Sequence, residues 1–278
     1  MTSFAFVFPG QGSQAVGMLD AWGDHPAVRA TLEEASAALG EDIAALIAAG
    51  PKEQLDLTTN TQPVMLTAAV AAWRAWLAEG GAQPVAVAGH SLGEYSALVA
   101  AGALRLADAL PLVRLRAQAM QQAVPVGQGA MAAILGLDAA AVVAGCAEAA
   151  AASGEVVSAA NFNDPKQTVI SGTQAGVAKA CEVLKAAGAK RALPLAVSAP
   201  FHCALMQPAA EALKAALAGI ALQAPAIPVV NNIDVAAPAD AAAIRDALYR
   251  QASGPVRWVE VVQALKARGH KLMEADLT

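Results

Sequence analysis

The chain has 278 residues, 56% hydrophobic and 15% charged, with 18 lysines and arginines against 23 aspartates and glutamates. So much apolar side chain excludes an intrinsically disordered polypeptide, and a net charge of −5 argues against a nucleic-acid binder, which carries a basic excess. The length fits about two domains, or one large domain with an insertion.

Short apolar runs alternate with helical patterns along the chain, the signature of an α/β fold. Phe4-Ala5-Phe6-Val7-Phe8, ended by Pro9-Gly10, predicts a buried strand. Gly10-Gln11-Gly12-Ser13-Gln14 follows directly. A glycine-flanked turn there either aims a backbone N–H at a site as an oxyanion donor or is an ordinary turn. It has neither the spacing nor the lysine of a phosphate loop. Helices are predicted around His25–Leu39 and Gln62–Ala78, the second with Val64, Ala68, Ala71 and Ala75 on one face. Pro84-Val85-Ala86-Val87-Ala88 predicts another strand, ended by Gly89.

Gly89-His90-Ser91-Leu92-Gly93 matches G-x-S-x-G between a predicted strand and a predicted helix, the context a nucleophile elbow requires. In so sharp a turn the flanks must be glycine, and Ser91 Oγ is lifted clear of the sheet. The Leu92 backbone N–H, at the start of the next helix, can donate to a developing oxyanion. The alternative is a tight turn whose serine only caps that helix. The helix after Ser91 reaches Ala101, and another runs from about Ala107 to Ala123. In the latter Ala109, Leu112, Arg116, Ala119 and Met120 share a face, whereas Arg114 falls with Gln118 and Gln121 on a side that reads as solvent-directed. A guanidinium on an apolar stripe calls for an anion, either a protein carboxylate or a substrate carboxylate held by the bidentate fork of Arg116.

From Gly127 to Leu195 the pattern becomes a compact unit. Strands are predicted at Ala130–Leu135, Glu155–Ala160, Thr168–Ser171 and Arg191–Leu195, and helices at Ala139–Ala152 and Ala175–Ala187. The turn between the middle strands is placed at Asn163-Asp164-Pro165. This β-α-β-β-α-β order is the ferredoxin-like arrangement, inserted in a larger domain. Ser198-Ala199-Pro200-Phe201-His202-Cys203 then forms a proline-bearing loop. A serine nucleophile needs a base, and of the four histidines His25 sits at a helix start, His90 shapes the turn and His270 lies in a polar surface stretch. Elimination leaves His202 as the base, with a purely structural histidine as the alternative. Ile227–Val230 predicts a further strand, and Ala239–Gln251 and Val256–Arg268 predict helices.

No apolar run reaches the roughly 18 residues of a membrane span, because Thr67 to Leu77 is broken by Arg74. The N-terminus shows no signal-peptide pattern. Cys146, Cys181 and Cys203 are an odd set without a C-x-x-C pair, which predicts a reducing, cytoplasmic setting.

Phe8-Pro9-Gly10-Gln11-Gly12-Ser13-Gln14, Gly89-His90-Ser91-Leu92-Gly93-Glu94-Tyr95 and Arg116-Ala117-Gln118-Ala119-Met120-Gln121 carry a family resemblance. Asn161-Phe162-Asn163, Pro200-Phe201-His202, Asn231-Asn232, Gln251 and Pro255-Val256-Arg257-Trp258 extend it. In these motifs and their order the chain resembles the malonyl-CoA:acyl carrier protein transacylases, the acyltransferase family of fatty acid and polyketide synthesis. The likeness is greatest to the free-standing bacterial enzymes of type II fatty acid synthesis.

The resemblance implies an α/β-hydrolase-like large domain, residues 1–126 and 197–278, interrupted by a ferredoxin-like small domain, residues 127–196. It implies Ser91 as nucleophile, His202 as general base, the Gln11 and Leu92 N–H groups as oxyanion hole, and Arg116 as the group that binds the malonyl carboxylate. The base would be oriented by the backbone carbonyl of Gln251 rather than by an acid, consistent with Asp234 and Asp240 reading as surface turns. Phe201 resembles the malonyl-selective form of its loop and would crowd a methyl branch. The implied reaction is ping-pong transfer from malonyl-CoA to the phosphopantetheine thiol of acyl carrier protein through a malonyl-serine ester. No metal or tightly bound cofactor is expected, nor contact with nucleic acid or membrane, and the chain is expected to be a cytoplasmic monomer. Lys190-Arg191, Lys179 and Lys185 are candidate contacts for an acidic carrier protein, or simply solvated charges.

The family continues with a Glu-x-Gly-Pro-Gly motif and a further strand and helix, whereas this sequence stops at Met273-Glu274-Ala275-Asp276-Leu277-Thr278. This reads as a shortened or altered chain, with exposed apolar surface and reduced stability or activity as expected effects. Three other functions fit parts of the pattern. A serine esterase or thioesterase shares the elbow and has no use for a carboxylate clamp. The transacylase subunit of malonate decarboxylase shares the chemistry with a different carrier. A non-enzymatic partner-binding subunit needs neither.

Overall fold

The computed structural model describes residues 3–268 and 271–274, so the reading of His270 lies outside the described residues. Strand β1 (Phe4–Phe8) leads through a 3-10 turn at Asp20–Trp22 to helices α1 (Pro26–Leu39), α2 (Ile43–Ala49), α3 (Lys52–Leu55) and α4 (Thr58–Ala78). Then come β2 (Ala86–Gly89), α5 (Gly93–Ala100) and α6 (Leu106–Gln122). A second group follows: β3 (Gly129–Leu135), α7 (Ala139–Ser153), β4 (Val157–Asp164), β5 (Gln167–Thr173), α8 (Gln174–Ala186) and β6 (Arg191–Pro194). The chain returns through α9 (Gln207–Ala218), β7 (Val229–Val230), α10 (Ala241–Ser253), α11 (Trp258–Ala267) and β8 (Lys271–Glu274).

The fold is α/β, as the alternating pattern predicts. β7-β2-β1-β8 form a parallel sheet, and β4-β5-β3-β6 form an antiparallel one in the ferredoxin-like order. A parallel strand covered on both faces reads as an unbroken apolar run, and β1 is such a strand. On one face Phe6 meets Trp73 of α4 edge-on at 5.2 Å between ring centres. On the other, Ala5 and Val7 pack with Ala86, Ala88, Val230, Val261 and Leu265. The antiparallel sheet has its own core, in which Ile134 and Ile170 lie against Val142 and Cys146 of α7 and Leu184 of α8.

The sequence reading contains no counterpart of α2, α3 or α9, and three further elements depart from it. Helix α4 begins at Thr58, four residues before Gln62, with Pro63 inside it. Proline favours a helix start, so the preceding residues read as loop. The Thr61 hydroxyl donates to the carbonyls of Leu55 and Leu57 at 2.6 and 3.0 Å and holds the added turn. Strand β4 runs past Ala160 to Asp164, with irregularities between Ala159 and Asn161 and between Phe162 and Asp164. Such bulges let an Asn-rich segment that reads as a turn remain in the ladder. Strand β8, pairing Phe4↔Lys271 through Val7↔Glu274, was not predicted, because four residues of an edge strand leave too short a pattern. No helix among the described residues is long and apolar enough to cross a membrane.

Candidate active site

The elbow follows from two close backbone approaches. A Cβ on Gly89 would lie 1.9 Å from the Gly93 carbonyl carbon and oxygen, and one on Gly93 would lie 2.4 Å from the Phe8 carbonyl oxygen. With both flanks as glycine, the turn between β2 and α5 closes tightly enough to put Ser91 at φ 52°, a left-handed conformation unusual for a side-chain-bearing residue. Asn232, from the loop after β7, clamps this turn. Its Oδ1 accepts from the Ser91 N–H at 2.7 Å, and its Nδ2 donates to the Gly89 carbonyl at 2.8 Å.

His202 approaches from the loop before α9, also in the left-handed region at φ 59°. Its Nε2 lies 2.7 Å from Ser91 Oγ, and its Nδ1 is 3.1 Å from the carbonyl oxygens of both Gln251 and Gly254. Carbonyl oxygens only accept, which assigns the ring proton to Nδ1 and leaves the Nε2 lone pair facing the serine hydroxyl. Burial, followed by the nearby Arg116 and His90, pushes His202 down to about 3. The ring is therefore neutral near pH 7 and able to take a proton from Ser91.

Arg116 on α6 is 2% exposed. Its Nη1 donates to Gln62 Oε1 at 2.7 Å, and its Nη2 donates to Ser91 Oγ at 3.2 Å and to Gln251 Oε1 at 3.1 Å. Its Nε has no partner among the described residues, and the guanidinium lies over the Tyr95 ring at 5.5 Å. No carboxylate of the described residues forms an ion pair with it. A buried cation held only by amides and a hydroxyl is suited to an anion brought from outside. Arg114 departs from expectation. Its side chain is mostly buried and donates to Asn60 Oδ1 at 2.8 Å and to the Glu41 carboxylate, because α4 and the turn before α2 cover that side of α6.

Gln11 and Leu92 both line a cleft of about 510 Å³ that also holds Ser91, His202, Arg116 and Phe201. Among the described residues no acceptor meets either backbone N–H, so both donors are available to a substrate oxygen. The Gln11 side chain is tied back, donating to Thr58 Oγ1 at 3.0 Å. His90 also lines the cleft, with Nε2 2.8 Å from Asn163 Oδ1 of β4 and the ring packed edge-on against Trp258 at 5.5 Å. The structure thus brings Ser91, His202, Arg116, Gln11, Leu92 and Gln251 into one site. Among the described residues that line the cleft, the cations besides histidine are Arg116 and Lys52, and none of Lys179, Lys185, Lys190 and Arg191 is among them.

Sequence reasoning gave no role to Gln62, Glu94 or Asn232. Gln62 and Glu94 are long polar side chains that each adjoin an apolar helical stretch and are buried there, and that adjacency is the signal that could have found them. No group of three His, Cys, Asp or Glu that could hold a metal ion occurs among the described residues.

A family model described as an acyl transferase domain matches residues 5–273. A protein of Escherichia coli strain K12 named malonyl CoA-acyl carrier protein transacylase is 56% identical over 270 residues, covering 97% of this chain and 87% of that protein. The crystal structure of an acyl-carrier-protein S-malonyltransferase from Burkholderia pseudomallei superposes with TM-score 0.96 at 65% identity, covering 99% of this chain and 89% of the other. A malonyl-transacylase solved in complex with its type II PKS acyl-carrier protein gives TM-score 0.96 at 52% identity, covering 99% of this chain and 89% of the other.

Proposed function

The chain belongs to the acyl transferase domain family, and from that premise we propose that it carries malonyl groups from malonyl-CoA to the phosphopantetheine thiol of acyl carrier protein in fatty acid synthesis. The observation that carries this reading is the buried Arg116, in no ion pair with a carboxylate among the described residues and within 3.2 Å of Ser91 Oγ.

In the first half-reaction His202 Nε2 accepts the Ser91 proton as Oγ attacks the thioester carbon. The carbonyl oxygen gains charge facing the Gln11 and Leu92 N–H groups. Collapse breaks the C–S bond, and CoA leaves as a thiol with the proton from His202, so Ser91 holds a malonyl ester. In the second half His202 takes the proton of the carrier's thiol, the sulfur attacks the ester, and Ser91 recovers its proton from His202. The carbonyls of Gln251 and Gly254 keep the imidazole in one tautomer throughout. Arg116 forms the two-pronged pair with the free carboxylate of malonate and releases Ser91 Oγ as it does so.

An esterase or thioesterase would have no anion for this cation, and the relatives' names favour the transacylase over the decarboxylase subunit. We read residues 127–196 as a ferredoxin-like domain inserted between residues 1–126 and 197–278 of an α/β-hydrolase-like domain, with the cleft between them. Phe201, on the wall of the cleft, would crowd a methyl-branched substrate. We further read the chain as a cytoplasmic monomer that needs no bound cofactor. Intact-mass measurement after mixing with malonyl-CoA tests the reaction. A malonyl adduct that disappears in Ser91→Ala and is discharged by phosphopantetheinylated carrier protein is expected, and no adduct on the parent chain overturns the reading.

A further inference from the structure

Glu94 sits in the first turn of α5, 2% exposed, and does not line the cleft. A carboxyl group so deep is retained only where donors satisfy it. Its Oε2 accepts from the Asn232 backbone N–H at 2.8 Å and from Gln251 Nε2 at 3.0 Å. Asn232 holds the elbow, and Gln251 holds both the elbow and the base. The Asn232 side chain spans the elbow from the Gly89 carbonyl to the Ser91 N–H. The Gln251 amide also donates to the Ser91 carbonyl at 3.0 Å, and the backbone carbonyl of the same residue faces His202 Nδ1. One oxygen atom therefore joins α5, the loop after β7 and α10. Burial pushes the Glu94 carboxyl up to about 7, against the pull of these donors and of Arg116. In either protonation state the oxygen that faces the two N–H donors can accept from both.

Resting on the acyl transfer proposed above, we propose that Glu94 is a positioning residue: it fixes the elbow through Asn232 and the imidazole-orienting carbonyl through Gln251, and touches neither substrate nor reacting atom. A residue that only balanced the charge of Arg116 would act on malonyl-CoA alone. A residue that sets the Ser91–His202 geometry acts on every reagent that acylates or phosphonylates the serine.

The test follows covalent modification of Ser91 by intact mass with two reagents, malonyl-CoA and a neutral serine-directed fluorophosphonate, together with the Kd of malonyl-CoA. Glu94→Asp keeps the charge and withdraws the oxygen by one methylene. It is expected to slow both reagents by the same factor, roughly 10- to 100-fold, as displacements of about 1 Å do. Glu94→Gln keeps the reach and the acceptor and is expected to restore both rates to within about threefold, since two neutral hydrogen bonds replace two charge-assisted ones. The Kd should change little in either variant. If Glu94→Asp does not fold, Glu94→Ser carries the same expectation. A loss confined to malonyl-CoA, unchanged rates in the shortened variant, or a Gln variant as slow as the Asp variant would each overturn the proposal. A parent chain labelled by the fluorophosphonate but not by malonyl-CoA would instead overturn the proposed function and leave the Glu94 comparison readable on the neutral reagent.

Discussion

Arg116 Nη2 rests 3.2 Å from Ser91 Oγ, so the cation proposed to recognise the substrate's far end is hydrogen-bonded to the atom proposed to attack its near end. Recognition and attack are thereby coupled, because a carboxylate that draws the guanidinium to itself also frees the hydroxyl.

Arg116→Ala should lower kcat/KM for malonyl-CoA by about 2–4 kcal/mol of transition-state stabilisation, roughly 30- to 1000-fold, the range for losing one partner of a buried charge pair. Acetyl-CoA, which brings no anion, should lose far less or gain. Steady-state kinetics on both thioesters with parent and variant give the comparison. A malonyl-to-acetyl preference unchanged by the substitution would remove Arg116 from the proposed role.

Replacing His202 by alanine should slow formation of the malonyl-serine adduct by roughly 10²- to 10⁴-fold, the usual contribution of a general base. Stopped-flow or quenched single turnovers resolve the acylation step from the transfer to carrier protein. Equal rates in the two proteins would mean that another group takes the proton.

Stability should depend on pH with two opposed contributions from the site. His202 has a folded value near 3 against an ordinary 6.5, so its contribution is complete above pH 6.5 and is lost as the pH falls through about 3. Glu94, raised to about 7 from 4.5, contributes fully below pH 4.5 and loses that contribution as the pH rises through about 7. Urea midpoints between pH 4 and 8 should therefore fall less steeply toward acid in His202→Asn, and less toward neutrality in Glu94→Gln. An Asn variant with the parent's acid slope would contradict the first of these signs.

Gly89→Ala should destabilise the chain by about 3 kcal/mol or more, a drop of roughly 6–10 °C in Tm, because its Cβ falls 1.9 Å from backbone atoms of Gly93 that cannot move away. Gly154→Ala is the control. Its φ of 71° carries strain of about 1–2 kcal/mol, but nothing lies within 4 Å of the added carbon. Thermal unfolding of both distinguishes steric exclusion from backbone strain.

The elbow was legible because its causes are local: an apolar strand, two glycines and a helix start lie within a few residues. Arg116 stood out from helical period as a guanidinium on an apolar stripe, but the period left a protein carboxylate and a substrate carboxylate equally open, and only the family resemblance chose the substrate. His202 was reached by elimination and through the family resemblance, as its partner is 111 positions away and its left-handed backbone leaves no mark in the sequence. The carbonyl of Gln251 was named only through the family resemblance and that of Gly254 not at all, because both belong to the main chain and no residue pattern announces which carbonyl a ring will meet. Glu94, Gln62 and Asn232 act through partners that only the folded chain assembles. Helix α4 and strand β4 were underestimated for a related reason. A side-chain hydroxyl in one and backbone bulges in the other override punctuation that proline and asparagine normally supply.

The imidazole of His202 is backed by two neutral oxygens where many serine enzymes place an acid. An anion there would reward the ring for holding a proton; a pair of amide dipoles, with a guanidinium close by, gives it little reason to keep one. A proton taken from Ser91 or from a thiol is therefore readily handed on to the departing sulfur or oxygen, which suits a reaction whose two halves use the ring first as base and then as acid.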